Sequence, residues 1–340
     1  MVVNGKIDQR IFLHEVVSPF HILYNNRSLY GQKEMKLVPQ KEIIQRLQKK
    51  MPGVCILEKE PMRNHTSFKI GGPADLFFIP QNKEEIAYAI ELCKKYDFPF
   101  YIMGNGSNLL VSDQGYRGMI IQVYKNMSDV KIEGERVWAE AGILLSTLSK
   151  KIVAAHLAGF EFASGIPGTL GGGLYMNAGA YDGEIKFIVE SVEVIDTMGQ
   201  YIILRNKDMK FEYRNSILQR TPYIVTAASL HLKKGNKEDI ITKIRDFTER
   251  RKTKQPLEYP SAGSTFKRPK GFYAGKLIMD SGLRGYQIGG AQVSEKHCGF
   301  IINKGNATAE DVKTLIQFIQ KQVKEKFDVL LEPEVRFLGE

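Results

Sequence analysis

Residues 165–179 carry six glycines in fifteen positions, as Gly165-Ile-Pro-Gly-Thr-Leu-Gly-Gly-Gly173 and again at Gly179. This stretch constrains the fold more than any other. Glycine loses the most backbone entropy on ordering and adds no side chain to a core. A chain that gathers so many glycines needs backbone where a Cβ cannot go. Tight packing of one element on another is one reason. Close approach of a ligand to the peptide groups is the other, and the density favours it.

A second glycine-rich stretch, Gly104-Asn-Gly-Ser-Asn108, follows the apolar run Pro99–Met103. It has the place of a phosphate loop after a strand. It is not the G-x-G-x-x-G that opens a helix, because Leu109-Leu110-Val111 continue in extended fashion. A dinucleotide-wound fold is therefore disfavoured. Successive N–H groups here can form an anion nest or simply a tight turn. Together the two stretches suit the two ends of an extended diphosphate cofactor.

The remaining pattern is α+β. Strands are expected at Asp75–Ile79, Pro99–Met103, Met119–Val123, Val137–Ala141, Val189–Asp196, Tyr201–Leu204 and Ile224–Leu232. Asn82 with Glu85 and Thr308 with Asp311 read as helix caps. Helices are expected from these caps to about Tyr96 and Phe327, with others over 144–156 and 239–251 and a closing strand over 335–338. Met35 opens a helical pattern with Ile43, Ile44 and Leu47 on one face. It is read as the natural start, with 1–34 an extension. The expected division is 35–235 for a cofactor domain of two subdomains and 236–330 for a second, smaller domain. Residues 331–340 then form a terminal strand.

Composition narrows the function. No apolar run approaches the ~18 residues that span a bilayer, and Asp8, Arg10 and Glu15 interrupt any leader-like stretch. A cytoplasmic protein is expected. Cys55, Cys93 and Cys298 are an odd number with no C-x-x-C pair, so they form neither a disulfide framework nor a zinc site. No metal is expected. The net charge of +10 has no block of five or six cations and no aromatic-interleaved basic face, which argues against nucleic acid. Its densest stretch, Glu249-Arg-Arg-Lys-Thr-Lys254, is either a solvated helix end or a phosphate clamp.

Three side chains carry candidate chemistry. Ser264 follows Gly263 in a loop after Pro260, with Lys267 and Arg268 nearby for anions. No G-x-S-x-G elbow supports a Ser–His–Asp triad, but a serine with a partner can relay a proton. Glu334 is that partner or only a terminal-strand carboxylate opposite Arg336. Arg214, between Tyr213 and Asn215, is either structural or a stabiliser of developing negative charge.

The ordered set Asn64-His-Thr-Ser-Phe-Lys-Ile-Gly-Gly-Pro-Ala-Asp75, Gly104–Leu110, Gly165–Gly172, Tyr175–Ala180, Tyr213–Ser216, Ala262–Phe266 and Leu331–Arg336 resembles the UDP-N-acetylenolpyruvoylglucosamine reductase family. The match runs over roughly residues 60 to 340. The resemblance implies an FAD-binding domain of the vanillyl-alcohol oxidase (PCMH) type and a smaller α+β C-terminal substrate domain. It implies non-covalent FAD and NADPH as hydride donor. The reaction it implies is reduction of UDP-N-acetylglucosamine enolpyruvate to UDP-N-acetylmuramate, a step of peptidoglycan precursor synthesis on which cell shape and division depend.

The family's catalytic positions fall on Arg214, Ser264 and Glu334, with Ser264 the proton donor. Cofactor contacts are expected from Gly104, Asn105, Gly106, Ser107, Asn108, Gly165, Ile166, Pro167, Gly168, Thr169, Gly172, Asn177, Gly179 and Ala180. The family's Arg-x-x-x-Lys lands on Arg250 and Lys254, which with Lys267 and Arg268 are expected to hold substrate charge. The compact spacing from Lys254 to Ser264 indicates the shorter type, without a substrate-covering insertion. Ala262 stands where several relatives have Cys, and Gly171-Gly172-Gly173 holds one glycine more than expected. A monomer is expected. Two other classes remain to be weighed. A sugar or alcohol oxidase on the same fold often tethers its flavin to His or Cys, and neither glycine-rich loop has one. A flavin- or UDP-sugar-binding regulator without turnover has no need of Arg214, Ser264 and Glu334.

Overall fold

Strands Cys55–Pro61, Pro73–Ile79, Tyr116–Gln122 and Phe100–Met103 lie side by side in that order in a computed structural model that describes residues 40–339. The first pair is antiparallel and the others parallel. Leu76, Phe77 and Phe78 are all fully buried, as a strand covered on both faces requires. The Lys83–Lys95 helix makes the crossover to Phe100–Met103. Asn82 caps it by accepting from Glu85 N at 2.9 Å, but the Glu85 carboxylate accepts from Gln81 N and from Asn82 Nδ2 rather than from the backbone N of the cap residue, so the capping box is incomplete. The Gln40–Lys50 helix buries Ile43 and Leu47 in the same core, with Ile44 partly buried. The expected start at Met35 and the 1–34 extension lie outside the described residues.

The second lobe is a five-stranded antiparallel sheet in the order Tyr201–Arg205, Val189–Ile195, Ile224–His231, Arg136–Glu140 and Val130–Glu133. The Leu145–Ala154 helix belongs to its core. So does a short helix, Leu170–Met176, inside the glycine-rich stretch, where no helix was expected. Glycines are poor helix formers. Here Thr169 caps the turn by accepting from Gly172 N, and buried Leu170 and Leu174 anchor it.

The Lys237–Lys254 helix corrects the expected division. It packs on the Leu145–Ala154 helix and on Glu161–Ala163 of the second lobe. Tyr181 of that lobe stacks on Phe247 at 4.3 Å. The break falls after this helix, near Gln255-Pro256, rather than at 235/236.

The third lobe is an antiparallel sheet of Ser261–Ser264, Phe300–Asn303, Ala291–Val293 and Gln287–Ile288. Against it lie the helices Ala274–Asp280 and Ala309–Phe327. The second carries the full capping box of Thr308 and Asp311. It buries Val312, Leu315, Ile316, Ile319 and Val323 at helical spacing.

Residues 331–338 are not a separate piece but a seam. Leu331 and Val335 lie in the third core, where Phe68, Ile70 and Leu110 of the first lobe join them. Arg336–Leu338 then pairs in parallel with Leu109–Val111 of the first lobe. Further bonds across the seam are Ser67 Oγ to Ser261 O at 2.7 Å and Asn303 Nδ2 to Phe68 O at 3.1 Å.

Candidate active site

The two glycine-rich segments meet. A Cβ on Gly104 would lie 2.3 Å from Thr169 Oγ1, so that glycine exists to let one loop touch the other. Gly106 has φ +64°, and a Cβ there would lie 2.1 Å from the His65 carbonyl oxygen. Gly168 and Gly172 differ. Within 4 Å a Cβ on Gly168 meets only Ser107 Oγ, and one on Gly172 only Thr169 Oγ1. These two leave the backbone bare toward a cavity of about 1210 Å³ that both segments line. Single-ligand pockets run to roughly 300–1,000 Å³, so a cofactor and a substrate can share this space.

Six cationic side chains line the cavity (Arg117, Arg214, Arg250, Arg251, Lys254 and Arg336) against one carboxylate, Glu334. Bare glycine backbone with surplus positive charge is what an extended diphosphate cofactor needs, and these residues fit one. Asn177, expected among the cofactor contacts, does not. It is fully buried and off the cavity wall. Its Nδ2 donates to Glu184 Oε2 at 2.8 Å and Glu212 O at 2.9 Å, and its Oδ1 accepts from Lys186 N at 3.1 Å. It holds the turn after the Leu170–Met176 helix, in the left-handed conformation that asparagine tolerates.

At the other end of the cavity the three lobes converge. Ser264 ends its strand at an irregularity after Gly263, whose φ is +78°. Thr265 is buried: its N donates to Gly299 O at 2.8 Å and its Oγ1 accepts from Ile301 N at 3.1 Å. Alternation along the chain then leaves Ser264 exposed on the opposite side. Glu334 N donates to Thr265 O at 2.8 Å, placing the terminal segment beside the serine.

The carboxylate of Glu334 accepts from Arg214 Nε at 2.9 Å, and Arg214 Nη2 donates to Gly179 O at 3.1 Å. Its partner is thus Arg214 of the second lobe and not Arg336. Burial pushes the Glu334 carboxyl above the usual glutamate range, and Arg214 pulls it back. Arg214 itself has φ +54°, a left-handed conformation that costs a non-glycine residue on the order of 1–3 kcal/mol. The Glu212–Asn215 turn and the bond from Gln219 Nε2 to Arg214 O hold it there.

The other expected cations separate. Lys254 lines the cavity. Arg250 touches its rim, but Asp246 holds its guanidinium through two contacts, at 3.0 and 2.9 Å, and the side chain is 57% exposed. Lys267 is off the wall, paired with Glu332 at 2.6 Å. Arg268 lies over the Tyr273 ring at 4.0 Å and lines a separate recess of about 490 Å³, which Tyr213 and Arg214 share. Sequence reasoning missed Arg251 and Tyr175 on the cavity wall and took Arg336 only as a counter-ion. Arg336 N donates to Asn108 O at 2.9 Å, and its guanidinium bonds Gln219 Oε1 and lies over the Tyr175 ring at 5.8 Å. No group of three or more His, Cys, Asp or Glu among the described residues is placed to hold a metal ion. No helix among them is long and apolar enough to cross a membrane.

Comparison with known proteins shows the family. Residues 74–205 match an FAD binding domain model, and 255–338 match the model of the UDP-N-acetylenolpyruvoylglucosamine reductase C-terminal domain. The UDP-N-acetylenolpyruvoylglucosamine reductase of Caldanaerobacter subterraneus subsp. tengcongensis is 56% identical over 281 residues, covering 83% of this chain and 93% of that protein. The chain belongs to the UDP-N-acetylenolpyruvoylglucosamine reductase family. The reductase of Alkaliphilus oremlandii is 54% identical over 294 residues, 86% of this chain and 97% of that protein. Among solved structures, the reductase from Thermus caldophilus superimposes with a TM-score of 0.73 at 35% identity, covering 84% of this chain and 99% of that one. The second family model begins at residue 255, where the Lys237–Lys254 helix ends.

Proposed function

We propose that this chain reduces UDP-N-acetylglucosamine enolpyruvate to UDP-N-acetylmuramate as an FAD-containing, NADPH-dependent oxidoreductase of peptidoglycan precursor synthesis, and so serves cell shape and division. One observation carries the reading. A glycine cradle and the Arg214–Glu334–Ser264 corner stand at two ends of one electropositive cavity. Gly104–Asn108, Gly165–Thr169, Gly172, Gly179 and Ala180 would hold the cofactor. When bound, FAD supplies hydride transfer, from NADPH and then to one vinyl carbon of the enolpyruvyl ether.

This chain's residues do the rest. The Ser264 hydroxyl gives a proton to the other vinyl carbon. The Arg214 guanidinium meets the substrate carboxylate and offsets the negative charge that builds there. Glu334 grips Arg214 Nε and Gly179 O one Nη2 proton, so the guanidinium is oriented before the substrate arrives. Lys254 lines the cavity and would meet a substrate phosphate, and Arg268 lines the recess next to Arg214. Lys267, held by Glu332, is given no substrate contact here. Substrate and NADPH are soluble metabolites, which supports action in the cytoplasm.

The test is the visible spectrum of the purified protein. Flavin absorption should bleach with NADPH under anaerobic conditions and recover on adding the enolpyruvyl substrate. A colourless protein that takes up no FAD, or a reduced flavin that this substrate leaves unchanged, would overturn the assignment.

A further inference from the structure

The last turn of the Lys237–Lys254 helix ends in a run of cations that the structure sorts. Arg250, which also touches the cavity, is largely exposed and held by Asp246, and Lys252 is exposed and held by Glu249. Arg251 is different. Among the described residues its guanidinium has no ion pair or hydrogen bond, and it lines the cavity together with Lys254, three positions on along the same face.

Its place is specific. A Cβ on Gly165 would lie 2.8 Å from Arg251 Nη1 and 3.4 Å from its Cδ, so the side chain lies flat on the bare backbone of the second cradle segment. Tyr181 is close enough to act on its charge. That tyrosine adjoins Gly179 and Ala180, and Gly179 O holds Arg214. Arg251 therefore stands between the cradle and the reacting corner. Burial pushes its guanidinium below the usual arginine value, the mark of a charge taken out of water without full compensation.

A helix C-terminus favours a cation, but Lys252 and Arg250 meet that preference in solvent. An arginine turned inward onto a glycine, without a carboxylate, is a cost unless an anion completes it. We propose that Arg251, rather than Arg250, is the anion-binding arginine of this helix, and that its guanidinium takes an anionic oxygen of a ligand in the cavity. The shared chemistry is a phosphate or carboxylate oxygen, from the cofactor or from the substrate. The inference rests on the reading of the cavity as the cofactor and substrate site.

The experiment uses the full chain with Arg251→Gln, Arg251→Lys, Arg250→Gln and, as a control away from the cavity, Lys252→Gln. Three quantities are measured: the Kd of the flavin-stripped protein for FAD by fluorescence quenching, the KM for the enolpyruvyl substrate and for NADPH, and the Tm of the flavin-stripped protein. A charged hydrogen bond is worth ~1.5–3 kcal/mol, so Arg251→Gln should weaken one ligand by roughly tenfold to hundredfold. A change in the FAD Kd makes the cofactor the source of the anion. A change confined to a KM, with FAD binding intact, makes it that substrate. Arg251→Lys should recover part of the loss, and Arg250→Gln should have the smaller effect. The Tm of the flavin-stripped protein should hold or rise in Arg251→Gln, since a half-buried unpaired charge has gone.

The inference is overturned if Arg251→Gln binds FAD and both substrates like wild type, if Arg250→Gln has the larger effect, or if Arg251→Gln lowers the Tm with affinities unchanged. Wild-type protein that takes up FAD and bleaches with NADPH upholds the reading of the cavity in each of those cases.

Discussion

The cradle and the reacting corner share one cavity and work by opposite means. In the cradle the backbone acts, and side chains are kept away. Gly168 and Gly172 each meet a single hydroxyl at ordinary contact distance, while Gly104 and Gly106 are pressed against Thr169 and the His65 carbonyl. At the corner three side chains are brought together, and the backbone delivers them: Arg214 from a strained turn, Ser264 from a strand end, Glu334 from the terminal seam. Substitutions in the cradle should therefore act through volume, and those at the corner through charge and protons. The contrast teaches that glycine density does not itself tell whether protein or ligand approaches the backbone.

The corner makes the largest effect. Ser264→Ala should slow substrate reduction by roughly 10²–10⁴-fold, the worth of a positioned general acid, and leave flavin reduction by NADPH near normal. Ser264 is exposed and its hydroxyl bonds no other described residue, so FAD content and Tm should stay as they are. Stopped-flow of each half-reaction decides. Slowing of the NADPH half alone would make Ser264 a nicotinamide contact.

The cradle is tested by two glycines that look alike in sequence. Valine at position 106 meets a carbonyl at 2.1 Å from a left-handed backbone, and should destabilise the fold by about 3 kcal/mol or more. Valine at position 168 meets only Ser107 Oγ at 3.4 Å. Gly168→Val should lose FAD on purification yet match wild type in the Tm of the flavin-stripped protein. Full FAD occupancy in Gly168→Val, or a wild-type Tm in Gly106→Val, would erase the distinction.

A smaller effect concerns the proton balance of the corner. Burial raises the Glu334 carboxyl, and Arg214 is the largest influence lowering it. Removing that arginine lifts the carboxyl further, so protonation begins at higher pH. With ionised Glu334 required, the acid limb of the substrate-reduction profile should move upward in Arg214→Met, on top of the lost rate. A limb that stays or moves down would show that Glu334 acts independently of this pair. The smallest effect lies outside the cavity. Burial pushes the Cys93 thiol up to about 12, whereas Cys55 is exposed. A thiol reagent near neutral pH should label Cys55 and spare Cys93 until the protein is unfolded.

Much of the architecture was legible because it is written locally. Thr308 and Asp311 name their own helix, and Asn82 caps its own. The Leu170–Met176 helix was not legible, because its glycines oppose a helix and only burial of Leu170 and Leu174 supports it. The boundary placed at 235/236 missed for a related reason. The Lys237–Lys254 helix signals its ends but not the lobe it packs on, and that depends on Leu145–Ala154 nearly a hundred positions earlier.

From its residues alone the chain could be assigned an α+β layout, two glycine-rich backbones and the reactive types Arg214, Ser264 and Glu334, since caps, breakers and motif order are properties of neighbouring positions. Tertiary structure alone decided how they are used. It paired Glu334 with Arg214 across 120 positions rather than with Arg336 two residues away. It withdrew Asn177 and Lys267 into contacts within the protein, tied Arg250 to Asp246 and laid Arg251 against Gly165. The reason is geometric: one step along a helix rotates a side chain by about 100°, and which of two adjacent arginines lies on the glycine backbone is set by where the helix lies on its neighbours.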